Sequence, residues 1–202
     1  MTVFLLVRHA VTSHTGHKLT GWAPGVHLSE GGRAQAEAVA ERLANAPIKA
    51  IYSSPIDRTL ETAQAVAAKH RLEVQVLDAI GEVQYGAWTN RSLKSLARTK
   101  LWIKIQRFPS GARFPQGETL REVQARALGE LERIQARHPK QLVCVVSHAD
   151  VIKLVVAHYL GVHIDLFQRI AIGPASVSAI AVGEEGPMVL SVNAGAPAVA
   201  PV

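Results

Sequence analysis

Two unbroken aliphatic runs, Thr2–Val7 and Leu142–Val146, constrain this chain more than any other feature. A strand with one wet face alternates apolar and polar residues. A run without alternation fits a strand covered on both sides, the pattern of a parallel sheet sandwiched between helices. Each run stops at a polar pair, Arg8-His9 and Ser147-His148.

Segments with helical spacing lie between and around these runs. Ser29 is a predicted N-cap for a helix reaching about Asn45, with Ala36, Val39, Ala40 and Leu43 on one face. Lys49–Ser53 reads as a second strand. Ser54-Pro55 then reads as an N-cap and a proline at the first helical position, opening a helix to about Lys69. Glu73–Leu77 is a further strand, Glu118–Arg137 an amphipathic helix and Asp150–Leu160 a helix closed by Gly161. The short runs Arg169–Ile172, Ser176–Val182 and Met188–Val192 are expected to be edge strands. This order predicts an α/β fold, a three-layer sandwich whose mostly parallel sheet carries helices on both faces. One domain over residues 1–194 and a mobile Ala/Pro tail over 195–202 are expected.

Composition narrows the chemistry. Hydrophobic residues are 48% of the chain and charged residues 19%, which excludes a disordered chain. The single cysteine, Cys144, lies inside an apolar run, so no internal disulfide forms and a reducing, cytoplasmic setting is expected. Val3–Val7 is too short for a signal core or a membrane span. The net charge of +6 concentrates between Arg91 and Arg113, where Lys94, Arg98, Lys100, Lys104 and Arg107 meet no acidic residue. No nucleic-acid-binding pattern accompanies these cations, so a small anionic substrate is expected rather than nucleic acid or membrane. A homodimer is compatible with the sequence.

Ligands of such sheets bind beyond the carboxyl ends of the strands. Both histidine pairs open there, so His9 and His148 are expected to share a crevice. Arg58 falls in the first turn of its helix, where the macrodipole disfavours a cation by about 0.3–1 kcal/mol. A bound phosphate taking both the helix donors and the guanidinium would explain it. The competing explanation is an ion pair with Asp57, Glu61 or another carboxylate.

These residues resemble the histidine phosphatase superfamily in its cofactor-dependent phosphoglycerate mutase-like branch. Leu5–Thr12 is similar to the family's Arg-His-Gly signature, and Thr20-Gly21-Trp22 with Leu28–Gly32 follows in its usual place. Ser53–Ala63 resembles the second arginine motif, Glu82 precedes Gly86-Ala87-Trp88 as the family's acid does, and Pro115–Thr119 and Val145–Asp150 complete the order. The resemblance implies a metal-independent, cofactor-free phosphoryl transfer. His9 would be the nucleophile, Arg8, Arg58 and a protonated His148 would hold the phosphoryl group, and Glu82 would donate a proton to the leaving oxygen. Thr15, Thr20, Gly21 and Ala149 are further candidates for touching substrate.

The sequence also departs from the family pattern. Ala10 replaces a glycine and requires φ below zero, Val11 sits where a polar residue is common, Thr15 falls where an asparagine often contacts the phosphate, and Ala149-Asp150 replaces a glycine pair. The segment between Glu82 and Glu118 is short and shows no clean helical stripe, which predicts a small cover over the site. A phosphatase acting on a small phosphorylated metabolite is therefore expected ahead of a mutase. A non-catalytic phosphate-binding module is the reading outside enzymology. A metal site built from His14, His17 and His27 is disfavoured, because no carboxylate stands at ligand spacing.

Overall fold

The computed structural model describes residues 1–195. Its strands and helices run β1 (Thr2–Arg8), β2 (Lys18–Leu19), α1 (Glu30–Leu43), β3 (Ile48–Ser53), α2 (Asp57–His70) and β4 (Val74–Val76). They continue with β5 (Arg91–Ser92), α3 (Leu93–Leu96), α4 (Lys100–Arg107), α5 (Leu120–Arg137), β6 (Leu142–Ser147), α6 (Ala149–Tyr159), β7 (Val177–Gly183) and β8 (Gly186–Ala194). The main sheet has the order β4-β3-β6-β1-β7-β8, with β1, β3, β4 and β6 parallel and β7 and β8 antiparallel to their neighbours.

The two aliphatic runs form β1 and β6, paired in the centre, and alternate residues serve two separate cores. Phe4, Leu6, Val143 and Val145 pack with Val123, Ala127 and Leu131 of α5 and Ile152 and Val155 of α6. Leu5, Val7, Cys144 and Val146 pack with Val39, Ala40 and Leu43 of α1 and Ala63 and Val66 of α2. This is the expected three-layer sandwich. Burial pushes the Cys144 thiol up to about 12, so the group is an inert part of the core.

Parallel register fixes the rim. Arg8 pairs with Ser147 across β1 and β6, and Ser53 of β3 pairs with Val146 of β6. The amide of His9 then donates to Ser147 O at 3.0 Å and that of Ser54 to Val146 O at 3.1 Å. The backbone ladder thus carries the residues after three strands to one edge.

Several local expectations need correction. Pro55 does not open α2; the chain bends at Pro55–Ile56, Ile56 is the N-cap with extended dihedrals, and the helix starts at Asp57. Ser54 is engaged elsewhere, by His148. Arg169–Ile172 is no strand, because Arg169 ends a 3-10 helix, Ile164–Arg169, that packs against α6. Only β8 is an edge among the C-terminal strands, since β7 lies between it and β1. The cover segment does form helices, α3 and α4, but a break at Ala97–Thr99 interrupts the stripe, and Thr99 caps α4 through the Trp102 amide. Leu96 and Ile105 anchor the cover in the core. The expected tail lies outside the described residues apart from Gly195. Among the described residues no helix is long and apolar enough to cross a membrane.

Candidate active site

A cavity of about 290 Å³ opens at the carboxyl rim of the sheet. Arg8, His9, Arg58 and Glu82 line it together with Tyr85, Asp150, Lys18, Trp102, Gln106 and Gln168. His148 stands behind this wall, fully buried, with its ring centroid 5.3 Å from that of His9. The five residues expected to act together are therefore brought together.

His9 follows β1 directly. Its Nδ1 lies 2.7 Å from the carbonyl oxygen of Ala10, and a carbonyl can only accept, so Nδ1 carries the proton and Nε2 keeps its lone pair. Ala10 meets its requirement, for it is not among the residues with positive φ.

Arg58, 2% exposed, makes no ion pair with Asp57 or Glu61. Asp57 instead accepts from the Gly25 amide, and Glu61 pairs with His27. The Arg58 guanidinium donates from Nε to His9 Nε2 at 3.2 Å and from Nη2 to Gly21 O at 2.9 Å, with His148 Nδ1 3.2 Å away. Its Nη1 has no partner, nor does Nε of Arg8, whose Nη1 donates to Ile172 O at 2.7 Å. Leaving a buried donor unpaired costs about 1–3 kcal/mol, more for a charged group. Two such donors on residues lining one cavity describe a seat for an anion with several oxygens.

Burial, reinforced by Arg58, pushes both His9 and His148 well below the ordinary histidine value. The expectation of a protonated His148 concerns the site with a phosphoryl group in it, and without an anion the neutral ring is favoured. Its Nδ1 faces a guanidinium that can only donate, so Nε2 carries the proton, directed at Ser54 Oγ 2.9 Å away. A phosphate dianion in the seat would favour the charged imidazole.

Glu82 lies 3.8 Å from His148 Nδ1 and accepts the Val83 amide at Oε1. Its backbone carbonyl is clamped by Trp22 Nε1 at 2.6 Å and Arg126 Nη2 at 2.9 Å. Burial and the nearby Asp150 raise its pKa to about 7 against the opposing pull of Arg58, the Val83 amide and Arg8. Desolvation wins, and the carboxyl can carry a proton at neutral pH.

Thr15, Thr20 and Ala149 line the cavity, although the Thr15 hydroxyl is tied to the amide and hydroxyl of Thr12. Gly21 acts through its carbonyl on Arg58 and takes φ +56. Lys18, Tyr85, Asp150, Trp102, Gln106 and Gln168 were not legible as site residues; only the departure at Asp150 and the shortness of the cover pointed towards them. None of Arg91, Lys94, Arg98, Lys100, Lys104, Arg107 and Arg113 lines the cavity, and all are exposed. Trp88 is a core residue and Trp22 a clamp on the Glu82 backbone. Among the described residues no group of His, Cys, Asp or Glu is placed to hold a metal ion.

A sheet rim that sets an unprotonated imidazole nitrogen against two guanidinium groups, with a protonatable carboxyl beside them, defines a phosphoryl-transfer enzyme. The chain belongs to the histidine phosphatase superfamily (branch 1), whose model matches residues 4–195. It is 31% identical over 198 residues to phosphoserine phosphatase 1 of Hydrogenobacter thermophilus, covering 96% of this chain and 92% of that protein. Among solved structures it superposes on Bacillus stearothermophilus YhfR with a TM-score of 0.89 at 25% identity, covering 98% of each chain. It likewise matches a mutant phosphoserine phosphatase from Entamoeba histolytica in complex with phosphoserine, with TM-score 0.87, 23% identity and coverage of 96% and 98%.

Proposed function

We propose that this chain is a phosphomonoester hydrolase that works through a phosphohistidine on a small anionic phosphorylated metabolite. The observation that carries this reading is the His9 ring, its Nδ1 proton locked onto Ala10 O and its Nε2 lone pair facing Arg58. Nε2 attacks phosphorus, the bond from phosphorus to the ester oxygen breaks, and Glu82 gives its proton to that oxygen. Water then attacks phosphorus, the bond from phosphorus to Nε2 breaks, the Glu82 carboxylate takes the proton from the water, and inorganic phosphate leaves with His9 restored. Arg8 and Arg58, with His148 once an anion is bound, spread the charge of the transferring group. No step requires a metal.

The small cover favours hydrolysis over mutase chemistry, which must keep water out and return the phosphoryl group. The binding-module reading is disfavoured by the state of His9, since a passive seat gains nothing from an imidazole whose Nδ1 proton is fixed on Ala10 O and whose Nε2 is held unprotonated beside Arg58. Phosphoserine is the first substrate to try, by the relative named above. Cytoplasmic placement and a homodimer belong to the proposal as well.

The test is incubation of wild type and His9→Ala with labelled phosphate esters in the presence of a chelator, followed by an assay for acid-labile phosphohistidine and a survey of products. Labelled wild type, unlabelled variant and free phosphate as product are expected. Turnover surviving in His9→Ala would overturn the reading.

A further inference from the structure

The cavity holds a second carboxylate to which the mechanism above gives no role. Asp150 stands in the first turn of α6, two residues past His148, and lines the same cavity as Glu82. Its place is built. Tyr85, buried against Phe114, donates its hydroxyl to Asp150 Oδ2 at 3.0 Å, and Lys153, one turn along α6, lies 3.5 Å from Oδ1. The N-terminus of α6 adds partial positive charge beside it.

Glu82 has different surroundings. Facing it are Arg8 from β1, Arg58 from α2, His148 at the N-cap of α6, Asp150 from α6, and Tyr85 on its own segment. The two histidines are neutral without an anion, and Arg126 of α5, which donates to the Glu82 carbonyl, is paired with Glu118, so the charges left to act on the carboxyl are the guanidinium groups of Arg8 and Arg58 and the Asp150 carboxylate. Paired acids in unlike environments divide their roles: the better-solvated one keeps its charge and the more buried one keeps its proton.

We propose that Asp150 is a positioning residue for proton delivery, its anchored charge opposing ionisation of Glu82 so that the Glu82 carboxyl stays an acid until the leaving oxygen takes the proton. The inference rests on the hydrolase reading for its purpose but not for its measurement. A bound phosphate dianion acts on Glu82 with the same sign, so Asp150 does before binding what substrate does after it.

The experiment is a carbon-13 NMR titration of side-chain carboxyls in the full chain, with the Glu82 signal assigned by its loss in Glu82→Gln. In Asp150→Asn the Glu82 midpoint is expected to fall by about one pH unit, a roughly tenfold change in the protonated fraction above it. Asp150→Glu should restore it, and Asp150→Ser, smaller and equally uncharged, should move it in the same direction as Asp150→Asn. In parallel, the basic limb of kcat/KM should shift to lower pH. An alkyl ester such as phosphoserine should then lose about tenfold more rate than an aryl phosphate, whose leaving group needs no proton. An unmoved Glu82 midpoint in both neutral variants would overturn the proposal, as would equal losses for the two esters. A midpoint that falls in the neutral variants while the wild type turns over no ester would uphold the coupling and sink the hydrolase reading instead.

Discussion

Arg58 Nε points at His9 Nε2 from 3.2 Å. A guanidinium has no accepting atom, so the imidazole nitrogen must accept, and the atom that would attack phosphorus is held unprotonated. Burial and the two arginines keep His9 well below the histidine value of 6.5. A lowered pKa means that the neutral form survives as pH falls. The acid limb of kcat/KM is therefore expected below pH 6.5, and a limb above it would show that His9 is protonated in the free enzyme.

Glu82 should show opposite effects on stability and rate. Its folded-state pKa is raised to about 7 from 4.5, so between these values the unfolded chain releases a proton that the folded chain retains. Stability contributed by this group therefore falls as pH rises through that window and stays low above it. Glu82→Gln is expected to be about 1–3 kcal/mol more stable than wild type at pH 7.5, an order-of-magnitude figure, and to hydrolyse alkyl esters about a hundredfold more slowly. Denaturant titrations at pH 4.5 and pH 7.5 check the sign, since the gain should be confined to the higher pH.

The unpaired donors of Arg8 and Arg58 predict stabilisation by anions. Inorganic phosphate or orthovanadate at about a hundred times its Kd should add about 2.7 kcal/mol. For a chain of 202 residues that amounts to a rise in melting temperature of about 5–10 °C. Arg58→Met should lose most of the rise, and a full rise in that variant would place the anion elsewhere.

Gly86 ties the Glu82 segment to the turn before α5. Its φ is +54, and an added Cβ would lie 2.1 Å from Pro115 O, whose carbonyl accepts the Ala87 amide at 2.8 Å. Gly86→Ala should cost at least about 2 kcal/mol, measured by denaturant unfolding, and should depress turnover by disturbing the loop that carries Glu82.

The sheet and the meeting of His9 with His148 were legible because continuous aliphatic runs ending in Arg8-His9 and Ser147-His148 leave little freedom in placing a parallel pair. Arg58 was legible through its misplacement at a helix N-terminus. Ser54 was misread, because a serine before a proline looks like a cap, whereas its hydroxyl serves His148, a contact between residues 94 apart in the chain. Asp150 was noticed as a departure but given no role, since its meaning depends on Tyr85 and Glu82, which chain order does not place beside it. The helices of the small cover did not show as one stripe, because the break at Ala97–Thr99 divides them into four and eight residues with no common period.

The outward direction of the cover's cations has a kinetic meaning. Exposed charges beside a pocket, out of reach of what lies inside, raise the rate at which anions arrive from solution. Arg91, Lys94, Arg98, Lys100, Lys104 and Arg107 are exposed on the segment whose Leu93, Trp102 and Gln106 line the cavity, and the reach of their field is set by the Debye length, about 8 Å at physiological ionic strength. Added salt should lower the rate of encounter and leave the turnover of bound substrate alone, so capture and chemistry in this molecule answer to different parts of its surface.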